Sequence, residues 1–202
     1  MHARHLLVTL AWALASPAFA RAEPAAPPVS WSIGTSAWML ANALPDPPQF
    51  YYLEIDRRLG AHDELVVEAA TWTYDGPIGI PYGSSFGDDA HDYPGFVRSI
   101  GLGVGWRRYL HRGANVSARA LHFLQLYHED GQPRTTGYQL FLQARAGWRW
   151  TPARTRGLWV EPSIACNWWP IEVGRPDSFE AMDDEWPSYF LLEPWLNAGW
   201  SW

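Results

Sequence analysis

The sequence predicts an all-β protein, an eight-stranded antiparallel up-and-down transmembrane β-barrel over residues 31–202. Three observations point there. Apolar and polar residues alternate with the period of two that marks strands. The alternating segments are joined by connections that are short and long in turn, as in outer-membrane barrels. Aromatic residues on the apolar parity collect at the two ends of the segments, where such barrels carry girdles.

Eight segments alternate, roughly 31–42, 50–59, 64–74, 96–110, 115–127, 137–150, 158–169 and 189–202. Each reaches the ~9–11 residues that a tilted strand needs to cross hydrocarbon. "GYQLFLQARAGWRW" is the clearest: Tyr138, Leu140, Leu142, Ala144, Ala146, Trp148 and Trp150 share one face, and Gln139, Gln143, Arg145 and Arg149 the other. "FVRSIGLGVGWRRYL" sets Ile100, Leu102, Val104 and Trp106 against Ser99, Arg107 and the run Gly101, Gly103, Gly105. That run lacks the lysine and the helix of a phosphate loop, so it reads as small inward positions that leave room for a bulky neighbour. "LWVEPSIACNWW" repeats the alternation, with Cys166 on the apolar parity. The last strand, "YFLLEPWLNAGWSW", ends on an aromatic with apolar residues at alternate positions before it, and Glu193, Trp195, Asn197 and Gly199 facing inward.

"GAHD", "HRGA" and "TPARTRG" are the short connections after the second, fourth and sixth segments; the others are longer, the longest near 75–95. With the short turns at one end, Trp31, Trp106, Trp148, Trp150, Trp200 and Trp202 share that end, while Phe96, Tyr138, Trp168 and Phe190 fall at the other. Trp106, Trp148, Trp150, Trp168, Trp200 and Trp202 form the core of the expected girdles.

The front of the chain carries a different pattern. Residues 1–20 read as a signal peptide: Arg4, an apolar run from Leu6 to Ala15, then Ala18-Phe19-Ala20, with Ala22 a second possible cleavage point. The run is shorter than the ~20 residues of a membrane-spanning helix. Residues 21–30 form a Pro-rich linker.

Composition narrows the function. The 202 residues hold 14 Trp, 9 Tyr and 8 Phe, and all 15 basic residues are Arg. The 21 acids outnumber those bases, which argues against nucleic acid as a partner. One cysteine permits no internal disulfide. A hydrolase needs a His beside a nucleophilic Ser, which on a strand means a spacing of two. The sequence contains no His-x-Ser or Ser-x-His, so no catalytic residue is assigned. His122 falls on the apolar parity with no partner evident. The acidic connections hold Asp75, Asp88, Asp89 and Asp92, then Asp177, Glu180, Asp183, Asp184 and Glu185. They lack the spacing of a calcium loop and read as a solvated or cation-bridged surface, with no metal or cofactor assigned.

The inward parity collects an expected ion-pair network: Glu54, Asp56, Arg107, Arg119, Arg145, Arg149, Glu161 and Glu193, with Glu64, Glu68 and Arg58 nearby. Counting back from 151–157 puts Trp150 opposite Leu158 and Gly147 opposite Glu161. Glu161 then falls diagonally between Arg145 and Arg149. Through the connection at 128–136, Arg119 falls beside Arg145.

"YPGFVRSIGLGVGWRRYL", "GYQLFLQARAGWRW", "EPSIACNWWPI" and "SFEAMDDEWPSYFLLEPWLNAGWSW" resemble a family of small, uncharacterised bacterial outer-membrane barrel proteins of the eight-stranded type. The resemblance spans roughly residues 93–202. It implies the fold and an outer-membrane location, with lipid, lipopolysaccharide and the barrel-assembly machinery as partners, the last through the C-terminal strand. It assigns no activity to any residue. The expected role is structural or surface-interacting, through the acidic connections and without an open pore. The alternatives are a lipid- or lipopolysaccharide-modifying enzyme and a narrow small-solute channel.

Overall fold

Eight strands run up and down and close into a ring. They are β1 (Trp31–Ser36), β2 (Tyr51–Arg58), β3 (Asp63–Tyr74), β4 (Gly95–His111), β5 (Ala114–Glu129), β6 (Thr135–Trp148), β7 (Leu158–Val173) and β8 (Tyr189–Ser201). The computed structural model describes residues 30–44, 48–77, 93–152, 157–184 and 187–202. The expected signal peptide, most of the linker, and Asp88, Asp89, Asp92 and Glu185 lie outside the described residues. Each strand is antiparallel to the next, and β8 pairs with β1. Trp31 and Trp202 exchange backbone hydrogen bonds of 2.9 and 3.1 Å at that seam.

Many polar and charged side chains face inward and many apolar ones outward. In β4, Ile100, Leu102 and Val104 point outward, Leu102 at 67% exposure, while Ser99 and Arg107 are fully buried. Successive residues alternate faces along a strand, and an eight-stranded ring is just wide enough for side chains to fill. Charged and amide groups fill this one: Glu54, Asp56, Glu68, Gln125, Gln139, Glu161 and Asn197 are each at most 2% exposed. The glycine run makes the space. A Cβ at Gly101 would lie 2.1 Å from the ring of Phe123, its cross-strand partner, and one at Gly105 would lie 2.6 Å from Arg119 Cγ.

Four local features depart from simple alternation. β1 stops at Ser36, short of the expected residue 42, and Ala37–Ala43 form a 3-10 helix. Ser36 caps it, its hydroxyl accepting from the Trp38 N–H at 3.3 Å. "AWMLANA" has no β-branched residue to favour a strand there. The β5–β6 connection tightens to 130–134, where the Gln132 N–H donates to the Glu129 carbonyl and Gly131 takes φ 75°. That turn is shorter than the one at 149–157, at the opposite end of the barrel, so connection length does not alternate throughout. β7 runs on to Val173 across a bulge at Pro170, which has no N–H to give the ladder.

The fourth is a register shift in β8 around Leu192, at φ 62°. It turns Tyr189 and Leu191 outward and leaves Phe190 half-buried, so Tyr189 takes the outward place expected of Phe190. Trp148, Trp150, Trp200 and Trp202 point outward near the short connections, Trp106 is half-buried there, and Trp168 points outward toward the other end.

The interior is ordered along its length. Along β3 the inward residues run Glu64, Val66, Glu68, Ala70, Trp72, Tyr74, with the acids toward the short-connection end and the aromatics toward the other. The charged layer therefore sits near the short connections. Above it lies an apolar layer of Tyr52, Leu121 and Phe123 with Phe50, Trp72, Phe141 and Trp195. At the mouth, α1 (Asp177–Asp183) lowers Phe179 between Tyr93 and Tyr127.

Candidate functional site

The charged layer is built from β2, β3, β4, β5 and β7, with Arg149 from just past the end of β6. Glu54 is its hub: its carboxylate lies 2.9 Å from Arg107, 3.0 Å from Arg119 and 3.3 Å from Arg149. Asp56 bridges Arg107 at 2.6 Å and Arg149 at 3.1 Å, and accepts from the Ser32 hydroxyl. Glu64 takes Arg107 at 2.9 Å, Arg149 at 3.5 Å and Arg58 at 3.3 Å. Glu68 takes Arg119 at 2.7 Å, and the Tyr52 hydroxyl donates to both Glu68 and Glu54. Each carboxylate meets at least one guanidinium nitrogen, the pairing that makes a buried charge tolerable.

Of the eight residues expected in this network, six meet: Glu54, Asp56, Arg107, Arg119, Arg149 and Glu161. Their pairing corrects the expected register. Trp150 bridges to Val160, not Leu158, and Gly147 pairs with Ser163, not Glu161. Glu161 consequently stands across from Arg149, bonding its Nε at 2.8 Å, and reaches Arg107 at 3.7 Å instead of Arg145. The turn at Gly131 likewise shifts β5 against β6, so Arg119 pairs with Gln143 and Arg145 with Ser117. The carboxylates that hold Arg119 come from β2 and β3.

Arg145 and Glu193 stand apart from the cluster. The Arg145 guanidinium lies 3.9 Å from the Trp195 ring centroid, and Glu193 accepts from Asn167 and Trp195 at 2.6 and 2.7 Å. His122 is exposed as expected but does have a partner, the Tyr138 hydroxyl at 2.7 Å from Nδ1.

The mouth holds what the sequence reading missed. A cleft of about 330 Å³ opens beside α1, lined in part by Tyr74, Tyr93, Gln139, Trp169, Glu172 and Arg175. Arg175 holds Glu172 at 3.4 Å and Asp183 at 2.5 Å, and the Tyr93 hydroxyl donates to Asp183. Asp183 is thus a structural partner and not part of a solvated acidic surface. Burial pushes its carboxyl above the usual aspartate range, against the opposing pull of Tyr93 and Arg175. The sequence did contain a signal: Pro176 ahead of "DSFEAMD" suits a helix start with acids in its first turn.

No family model, no curated protein and no solved structure matches the chain. The resemblance over residues 93–202 rests on sequence pattern alone. The charged layer pairs each of its carboxylates with at least one arginine and can brace the barrel, though Asp56 Oδ1, Glu68 Oε1, Arg107 Nε and Arg119 Nε and Nη2 make no hydrogen bond. The cleft at the mouth is the part of the described interior that can receive something.

Proposed function

We propose that this chain is an outer-membrane β-barrel of a Gram-negative-type bacterium, filled instead of open, with a structural and surface-interacting role exercised at the α1 end. One observation carries the reading: charged and amide side chains line a packed interior while Leu102, Trp150, Leu191 and Trp202 stand more than half exposed outside. In water such an apolar belt would drive association; in lipid it is the matched surface, and the closed ring leaves no unpaired edge. Height-sorted outward aromatics at both ends support the same placement. The signal-peptide pattern supports export, and the terminal aromatic supports recognition by assembly machinery. A channel is disfavoured by the filled interior, and a lipid-modifying enzyme by the lack of a His–Ser spacing in the sequence. The test is fractionation of cells expressing the full-length chain. We expect it in the outer-membrane fraction, resistant to salt extraction and faster-migrating in unheated than in heated SDS gels. Recovery of the mature chain in the soluble periplasm would overturn the proposal.

A further inference from the structure

We propose that the cleft beside α1 binds a neutral, hydroxyl-rich ring, a saccharide unit, through Gln139, Arg175 and Trp169. Gln139 is 1% exposed, lines the cleft, and leaves its amide oxygen without a hydrogen-bond partner. A buried acceptor of this kind costs free energy unless something pairs with it. Arg175 lines the same cleft, and its Nε is a buried donor without a partner. One missing donor and one missing acceptor on a shared wall match a hydroxyl, which gives one hydrogen bond and takes another.

The charges exclude other chemistry. Arg175 pairs with Glu172 and Asp183, and the Tyr93 and Tyr127 hydroxyls donate to these two carboxylates. With both of these acids engaged by a guanidinium, an ammonium group would find only the exposed carboxylate of Asp184 on the cleft lining. With three carboxylates, Glu172, Asp183 and Asp184, to one arginine, the lining repels a phosphate. Trp169 supplies an apolar part of the lining: it is 7% exposed and lies parallel to Phe141, centroids 5.7 Å apart and planes within 2°, which fixes the orientation of the indole. Pyranose C–H faces pack on such planes while their hydroxyls seek the polar wall. At 330 Å³ the cleft is at the small end of the about 300–1,000 Å³ of ligand pockets, room for one ring.

The source of the sugar depends on the surface-facing reading above; the binding chemistry does not. The test uses the full-length mature chain, purified and folded in a zwitterionic, sugar-free detergent, with binding read by saturation-transfer NMR and calorimetry. One arm offers methyl glucoside, methyl galactoside and N-acetylglucosamine; the other offers core oligosaccharide released from lipopolysaccharide. We expect neutral sugar to bind with Kd on the order of 1 mM, with the strongest saturation on the ring face that meets Trp169. Gln139→Leu should weaken binding about tenfold, as loss of a hydrogen bond does, and Thr151→Ala at the far end should not. Trp169→Phe, a milder change, carries the same expectation of weakening should Gln139→Leu fold poorly. Preference for the oligosaccharide would identify the cell's own surface glycolipid as the source, and preference for the monosaccharides a free sugar. The proposal is overturned if no neutral sugar binds at about 50 mM, fiftyfold above that Kd. It is overturned equally if only amines or anions bind, or if binding is unchanged by both cleft variants. Failure in this assay would leave the membrane location standing, and a soluble chain in fractionation would leave the cleft standing.

Discussion

Glu54→Ala should be the most damaging single change in the charged layer. The Glu54 carboxylate touches three guanidinium groups, those of Arg107, Arg119 and Arg149, at 2.9–3.3 Å, and accepts from the Tyr52 hydroxyl. All four partners are buried. Without Glu54, Arg119 keeps Glu68 alone among the carboxylates that pair with it, and it stays buried beside three other arginines. Breaking a buried pair by removing one partner costs roughly 3–5 kcal/mol, because the remaining charge cannot reach water. Glu161→Ala is the instructive comparison. Its loss removes one close contact, to Arg149, and a looser one to Arg107, yet both arginines keep Glu54, Asp56 and Glu64. One charge-assisted hydrogen bond is worth about 1.5–3 kcal/mol, so Glu161→Ala should fall below Glu54→Ala. Glu180→Ala, on the exposed side of α1, should change little. The double variant Glu54→Leu/Arg107→Met should cost less than the sum of its single changes, since removing both charges leaves neither stranded. The assay is equilibrium unfolding by urea from phosphocholine micelles, followed by tryptophan fluorescence and heat-dependent gel mobility. If Glu161→Ala matches or exceeds Glu54→Ala, or Glu54→Ala matches Glu180→Ala, the hub assignment is wrong.

Two further outcomes follow. Leu102→Arg should disfavour folding into vesicles by roughly 2–4 kcal/mol if that face meets the bilayer midplane, and should be harmless if it meets water; vesicle refolding yields at graded urea separate the two. The purified chain in a planar bilayer should show no steady single-channel current, because the charged layer, the apolar layer and Phe179 fill the interior in succession; a stable conductance would restore the channel reading.

What was legible in the sequence was whatever a strand writes locally. Alternation fixes which side chains share a face, so the inward set from Glu54 to Glu161 could be read without knowing any partner. Register could not, because it is set where the chain turns. A glycine at φ 75° in the β5–β6 turn and a bridge from Trp150 to Val160 each moved an expected pairing by two residues. A shift of two preserves the facing, so the right residues still met, but in different pairs. Bulges are worse, because they change parity itself. Pro170 announces one by its missing N–H; Leu192 at φ 62° does not, and Phe190 was misplaced for that reason. The cleft was hidden for a third reason. Gln139, Trp169 and Arg175 come from two strand segments and a connection, and their shared wall exists only once the ring has closed.

Four of the 15 arginines, Arg107, Arg119, Arg145 and Arg149, are buried in this interior, where guanidinium suits the site better than ammonium. A lysine ammonium is compact and strongly hydrated, whereas a guanidinium is planar, more weakly hydrated, and donates in a fork. Inside this ring the two properties of the plane are used separately. Arg107 spends its fork, bridging Asp56 and Glu64 through Nη1 while Nη2 meets Glu54. Arg149 uses fork and face together, with four carboxylates at its edge and its plane 3.9 Å from the Trp159 centroid. Arg145 uses the face alone. Its Nε and Nη1 have no hydrogen-bond partner, and its cation rests on Trp195, where the charged layer gives way to the aromatic one. A desolvated cation–π contact is worth about 2 kcal/mol, and it lets a charge sit against a ring that an ammonium, keeping its water, could approach only at greater cost. Arg145, outside the ion-pair cluster, therefore rests its charge on the aromatic layer, and the barrel passes from salt to aromatic packing across that contact.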